Sequence, residues 1–178
     1  QRQSEHPFGV RLTFDQGILV FGLTKKEEKE LRQIFNHLIA LSDIEKTLSC
    51  TGARECRIGL CDSLKLREKV IQMSRQYPLE KRSFLPQIFI SGCRNSCGWH
   101  LIGDIGFSGK KIRTINGVEE FYDVYLGGKV GPGQSSLGEY MGTLSLPQCI
   151  QLLSAVFDRY FTQAKKEKNL LFTQFLQK

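Results

Sequence analysis

Four cysteines in two pairs constrain this chain more than any other feature. Cys50 and Cys56 enclose five residues in S-C-T-G-A-R-E-C, and Cys93 and Cys97 enclose three in I-S-G-C-R-N-S-C-G. Four thiolates on two small-residue loops can enclose a metal centre. Structural zinc prefers pairs two to four residues apart, so the wide first pair suits it poorly. An iron–sulfur cube also takes four thiolates, and its larger cage accepts longer loops. Ser49, Thr51, Gly52, Gly92, Asn95, Ser96 and Gly98 surround the cysteines with small side chains. Such neighbours let backbone amides approach the sulfurs and tune a cluster by hydrogen bonding. Spacing alone leaves a cluster, a zinc site and a set of buried thiols open.

Composition narrows the setting. Six cysteines in 178 residues, two pairs of them close, point to a metal in a reducing compartment rather than a disulfide framework. We expect a cytoplasmic protein: there is no signal-peptide pattern, and no apolar run approaches the ~20 residues of a membrane span. The formal net charge of +7 raises nucleic acid as a partner. No basic helix interleaved with aromatics, no finger and no helix-turn-helix signature accompanies it, so nucleic acid is set aside. A positive surface equally suits a polycarboxylate macrocycle, a small oxyanion or an acidic electron donor.

Along the chain, Phe8 to Phe14 reads as a strand, Asp15-Gln16-Gly17 as a turn, and Ile18 to Leu23 as the returning strand. Thr24-Lys25-Lys26-Glu27 is a capping box, followed by Leu31, Ile34, Phe35, Leu38 and Ile39 at helical spacing. This β-β-α unit is half of a ferredoxin-like fold. Leu48 leads from a short strand into the first cysteine pair, and 63–76 reads as a helix. Pro78 and Pro86 bracket a loop, and Ile88-Phe89-Ile90 is a buried strand delivering Cys93. A brief helix is expected after Cys97, then a hairpin turning at Asn116-Gly117. The glycines between Gly127 and Gly138 read as a loop passing close to something. Ser145-Leu146-Pro147-Gln148 is a second capping box, and 169–177 a last amphipathic turn. The fold class is α+β, with a boundary expected between 1–46 and 47–178. Cys61 and Cys149 each fall in a helix-like pattern and read as small buried hydrophobes.

The motif C-x5-C followed by G-C-x-N-S-C resembles the 4Fe–4S and sirohaem half of the sulfite and nitrite reductases. P-F-G-V-R-L-T-F-D-Q-G-I-L-V-F-G-L (7–23) is similar to that family's R-x-T-x-x-Q segment. L-I-G-D-I-G-F-S-G (101–109) and Y-L-G-G-K-V-G (125–131) match its later landmarks in the same order. The resemblance implies a ferredoxin-like half followed by a mixed α/β domain binding a 4Fe–4S cluster and sirohaem. Cys50, Cys56, Cys93 and Cys97 would hold the cluster, with Cys97 bridging to the haem iron.

Further roles follow from the resemblance. Arg11, Arg54 and Arg57 are the candidate catalytic cations. Thr13, Gln16, Thr51, Asn95, Cys97 and Lys129 are the candidate cofactor-binding residues. Thr13 and Gln16 have a plainer reading as servants of the turn. Arg94 stands where the family has proline, and cations beside a reduced cluster stabilise its negative charge. His100, three residues past the bridging cysteine, is either a proton donor or structural. The implied activity is reduction of sulfite to sulfide with electrons from an external donor such as a ferredoxin. Alternatives are nitrite reduction, a non-catalytic electron-transfer or cofactor-holding subunit, and a precorrin-processing oxygenase relative. Full-length family members carry two related halves and this chain one, so it resembles the family's small single-repeat assimilatory-type sulfite reductases or is a fragment or subunit, and a homodimer or a partner subunit is expected to complete the site.

Overall fold

The computed structural model describes residues 8–36, 39, 42–82, 84–131, 135–164 and 172–176, without the side chains of Asp43 and Thr173. Pro7, Leu38, Gly133 and Asn169, all used in the sequence reading, lie outside them. The chain divides into two compact units, Gln1–Leu41 and Ser42–Lys178.

In the first unit β1 (Gly9–Leu12) and β2 (Ile18–Phe21) form an antiparallel hairpin, and α1 (Lys25–Ile34) follows. The expected capping box is present: Glu27 N–H donates to Thr24 Oγ1, and the Glu27 carboxylate accepts from Thr24 N–H at 2.8 Å. The helix is shorter than its apolar spacing suggested. Phe35 is its C-cap at φ −107°, outside helical geometry, so Phe35 and Ile39 do not extend it.

The second unit is a five-stranded sheet in the order β3-β4-β5-β6-β7. Its strands are β3 (Leu48–Ser49), β4 (Ile88–Ser91), β5 (Ile105–Thr114), β6 (Gly117–Leu126) and β7 (Glu139–Ser145). β3, β4 and β5 run parallel, while β5, β6 and β7 alternate antiparallel. Parallel neighbours need a crossover connection. Between β3 and β4 it is made by α2 (Ser63–Ser74), capped where Asp62 accepts from Lys65 N–H at 3.0 Å, and by a short turn of helix, α3 (Leu79–Arg82). α4 (Leu146–Ala164) follows β7 directly, with Gln148 Oε1 accepting from Ser145 N–H at 2.8 Å. α5 (Phe172–Leu176) adds Phe172 to the core.

Side chains alternate across a strand, so the register divides the sheet into two faces. Ile88, Ile90, Ile105, Phe107, Tyr122 and Val124 share one core with Leu66, Val70 and Met73 of α2 and Leu153, Phe157 and Tyr160 of α4. The strand residues between them differ in kind. Ser91 pairs with Ser108, Ser108 with Asp123 and Asp123 with Thr143, a polar row across four strands.

Three local expectations need correction. The hairpin pairs Thr114 with Gly117, so Ile115 and Asn116 form the two-residue loop and Gly117 follows it at φ +114°. No helix follows Cys97. Ser96 and Trp99 adopt left-handed backbone at φ 61° and 56°, which no right-handed helix accommodates, and the chain makes successive turns. Cys61 precedes α2 instead of lying within it. β7 is an added strand, read in the sequence only as the approach to a capping box.

Candidate metal centre

Parallel pairing of β3 with β4 sets the two cysteine loops side by side. Both strands point the same way and Ser49 sits opposite Ile90, so Cys50 and Cys93 emerge from the same end of adjacent strands. Loops beyond the carboxyl ends of parallel strands are where such sheets place ligands. Cys50 N–H continues the pairing by donating to Ile90 O at 3.1 Å.

The two loops then interlock at glycines. A Cβ on Gly92 would lie 2.7 Å from Gly52 Cα, and one on Gly98 would lie 1.9 Å from Ile90 O and 3.1 Å from Cys50 N. Gly52 itself has φ +59° and abuts Ser63 and the Cys61 carbonyl, so side chains are excluded there twice over. Leu60 and Cys61 N–H both donate to Gly92 O, at 3.0 and 2.9 Å, stitching the end of the first loop to the start of the second. Gly92 N–H donates to Cys50 Sγ at 3.1 Å, and Ser63 Oγ stands 3.5 Å from the same sulfur. The Ser63 hydroxyl donates to Cys50 O at 2.8 Å, so the main-chain amide is the donor aimed at the sulfur.

Cys50, Cys56 and Cys93 are half-buried and Cys97 is exposed, so the set runs from the protein interior to its surface. Among the described residues no three His, Cys, Asp or Glu converge closely enough for a single metal ion. A four-iron cube asks its thiolates to stand further apart than one ion does. The donor chemistry, the glycine-lined cradle and the amide aimed at Cys50 all fit such a cluster.

A model of the nitrite and sulphite reductase 4Fe–4S domain matches residues 41–171. This chain belongs to that family. Among its relatives, the ferredoxin–nitrite reductase of Synechococcus elongatus is 34% identical over 169 residues, covering 88% of this chain and 31% of the relative. The sulfite reductase [NADPH] hemoprotein beta-component of Bacillus licheniformis is 23% identical, covering 92% of this chain and 28% of the relative. The structure of Mycobacterium tuberculosis NirA superposes with a TM-score of 0.77 at 21% identity, over 94% of this chain and 32% of that one. The fold is therefore that of the family's 4Fe–4S domain, and the chain spans about a third of the length of these relatives. Membership implies the 4Fe–4S cluster and sirohaem.

The other candidate residues fall into three groups. Arg57, Arg94, Thr51 and Asn95 are exposed on the cysteine loops, and neither arginine has an ion-pair partner among the described residues. Arg54 is committed. It pairs with Asp62 and Glu68 at 3.1 Å each, and these hydrogen bonds hold its guanidinium above its ordinary pKa. Lys129 joins Ser136 through two main-chain hydrogen bonds, and its charge acts on Asp104, whose carboxyl is raised by burial.

Arg11, Thr13 and Gln16 belong to the first unit. Arg11 lies over the Phe21 ring at 5.3 Å. Thr13 closes the hairpin turn: its hydroxyl bonds Asp15 and accepts from Gly17 N–H at 2.9 Å, while Gln16 takes φ 62°. Those contacts are the turn duties anticipated for Thr13 and Gln16.

Cys61 and Cys149 differ from the four candidate ligand cysteines. Both are fully buried, Cys61 Sγ donates to Lys110 O and Phe121 O, and burial pushes both thiols up to about 12. At neutral pH they are inert.

His100 was noticed in the sequence; its partner Ser91 was not. His100 is 3% exposed, its Nδ1 lies 2.9 Å from Ser91 Oγ, and its ring meets Tyr125 at 5.2 Å. The polar row beneath was also missed. Asp123 accepts from Lys110 Nζ at 2.8 Å and from Thr143 Oγ1. No local pattern marks such a row, because it exists only once four strands are in register.

Proposed function

We propose that this chain is the cluster- and sirohaem-holding repeat of a reductase that converts sulfite to sulfide with electrons from an external donor protein such as a ferredoxin. The observation that carries the reading is the pair of interlocked cysteine loops at the ends of β3 and β4, in a chain of this family. Nitrite is the second reading, supported by a nitrite reductase relative at 34% identity. Both anions take six electrons and need the same positive pocket. Membership of this family supports an oxidoreductase over the oxygenase alternative.

In this reading Cys50, Cys56, Cys93 and Cys97 would hold the cluster, with the exposed Cys97 the ligand through which electrons would leave it. Bound there, the two groups supply an electron relay and an iron that takes the anion. The protein's part is electrostatic. Gly92 N–H donates to the Cys50 sulfur. Arg57 and Arg94, without ion-pair partners among the described residues, would offset negative charge on the reduced cluster, the macrocycle carboxylates or the anion. Arg54, its charge shared by Asp62 and Glu68, anchors the first loop to α2 and contributes less. Thr51 and Asn95 sit on the rims of the two loops. Arg11, Thr13 and Gln16 keep the cofactor-facing roles that the family resemblance implies for the first unit. Positive charge covering the other side of the macrocycle is supplied outside this repeat, by another repeat, a second copy or a partner subunit.

The test is anaerobic purification and an optical spectrum, followed by oxidation of reduced viologen with sulfite and with nitrite. Sirohaem absorbance and sulfite-dependent oxidation are expected. A protein that assembles a cluster but never holds a tetrapyrrole overturns the proposal.

A further inference from the structure

The segment carrying Cys93 and Cys97 has a backbone that needs holding. Ser96 and Trp99 are left-handed without being glycines. Such conformations persist only where the surroundings over-determine them. Trp99 N–H donates to Ser96 O at 2.8 Å and Ile102 N–H to Trp99 O at 3.0 Å, but both bonds are internal to the segment. A bond that ties it to the sheet is that of Gly98 N–H, which donates to Ser91 Oγ at 3.1 Å, one residue past Cys97.

Ser91 is the last residue of β4 and is completely buried. Its oxygen accepts from Gly98, and its own proton needs an acceptor. Among the described residues that acceptor is His100 Nδ1, 2.9 Å away. A hydroxyl has one proton to give, and a buried one left unpaired is costly. Nδ1 therefore accepts, and His100 carries its proton on Nε2. Burial also pulls the imidazole below its ordinary pKa, consistent with a neutral ring. Tyr125 meets the ring at 5.2 Å, and the His100 main chain is held separately: a Cβ on Gly106 would stand 1.7 Å from His100 O.

We propose that Ser91 and His100 are a positioning pair that holds the Cys93–Cys97 loop against the sheet through Gly98 N–H and so sets the orientation, and with it the redox environment, of the Cys97 sulfur. His100 keeps the Ser91 proton turned away from Gly98, leaving a lone pair aimed at the amide. The inference rests on the reading of Cys97 as a cluster ligand, and its test separates the two.

The full-length protein is compared with its Ser91→Ala, Ser91→Thr, His100→Phe and His100→Asn variants. In the metal-free protein, Gly98 amide exchange and the His100 ring 15N shifts are measured by NMR. In the cluster-loaded protein, the midpoint potential is measured by dye-mediated titration. Wild type should show an Nε2-protonated ring. Ser91→Ala and His100→Phe should each speed Gly98 exchange by about tenfold, the worth of one buried hydrogen bond. They should shift the potential in the same direction. Ser91→Thr keeps the hydroxyl and His100→Asn keeps an acceptor at the Nδ1 position, so both should stay near wild type. Unchanged Gly98 exchange in Ser91→Ala, an Nδ1-protonated ring, or a wild-type potential in both disruptive variants overturns the pair. If Ser91→Ala fails to fold, His100→Phe against His100→Asn decides. Failure of the wild type to take up any cluster overturns the ligand reading instead, while the two metal-free measurements still judge the hold on the loop.

Discussion

Replacing Gly98 by alanine should separate the two cysteine loops with one methyl group. A Cβ there would sit 1.9 Å from Ile90 O, 2.6 Å from Ile90 C and 3.1 Å from Cys50 N. Carbon and oxygen approach no closer than ~3.3 Å in comfortable contact, so the backbones must part by roughly 1.4 Å. The obstacle is main chain in a buried strand, which cannot swing aside as a side-chain tip can. Inserting a methylene into a packed core costs about 1–3 kcal/mol, and this site belongs at the top of that range. A loss of ~3 kcal/mol is a large part of the 5–15 kcal/mol typical of a domain. It also falls at a joint, because Ile90 O is the acceptor of Cys50 N–H. Both cysteine pairs are therefore displaced together.

The assay is iron and sulfide per chain after anaerobic reconstitution, with urea unfolding in parallel. Gly98→Ala should lower the unfolding midpoint and lose most of its cluster. Gly127→Ala is the control. Gly127 has φ +80° but nothing within 4 Å of its Cβ position, so it should lose only the ~1–2 kcal/mol of a left-handed alanine and keep its cluster. A Gly98→Ala protein with full iron and near-native stability refutes the interlocked-loop geometry.

Cys97→Ser should uncouple the cofactors, with haem still bound and electrons no longer reaching it, while Cys61→Ser keeps both; equal loss in the two spectra means the ligands are misassigned. Arg57→Gln and Arg94→Gln should each lower kcat/KM for the anion by about tenfold, with a smaller effect from Arg54→Gln, whose charge Asp62 and Glu68 already share; salt titration of the same assay should shrink all three. The metal-free protein should lose stability above about pH 9. Folding keeps Cys61 and Cys149 protonated up to about 12, so the unfolded chain releases protons first and each thiol removes about 1.4 kcal/mol per pH unit between those values. Urea midpoints from pH 8 to 10.5 check this, and Cys61→Ala should flatten the slope.

What was legible in the sequence is what neighbouring residues decide between themselves. Thr24 and Glu27 cap their helix by direct exchange, and Gln148 reaches back to Ser145. Ile88-Phe89-Ile90 is a buried strand because nothing in it tolerates water. The four cysteines announced themselves by spacing and small neighbours. What escaped notice lies in pairings between distant segments. β7 contains Gly142 at φ +144° beside a register shift at Val124 and Tyr125, so no clean alternation marked it. The left-handed Ser96 and Trp99 turned an expected helix into turns because Gly98 must reach Ser91.

The cradle depends on a single topological choice. Cys50 and Cys93 belong to segments joined by α2, and had β3 and β4 been antiparallel their loops would have left opposite ends of the sheet. Parallel pairing sets them side by side, and glycine at 52, 92 and 98 then lets the loops close to backbone contact. The same strand end carries Ser91, which makes the last residue of β4 common to both halves of the problem. On one side Cys50 is paired to that strand through Ile90 O, and on the other Gly98 is tied to it through Ser91 Oγ. Thiolates on independent loops would each need their own support. Here one buried strand end supports both, so changes at Ile90, Ser91 or Gly98 should register at the metal before they register in the rest of the fold.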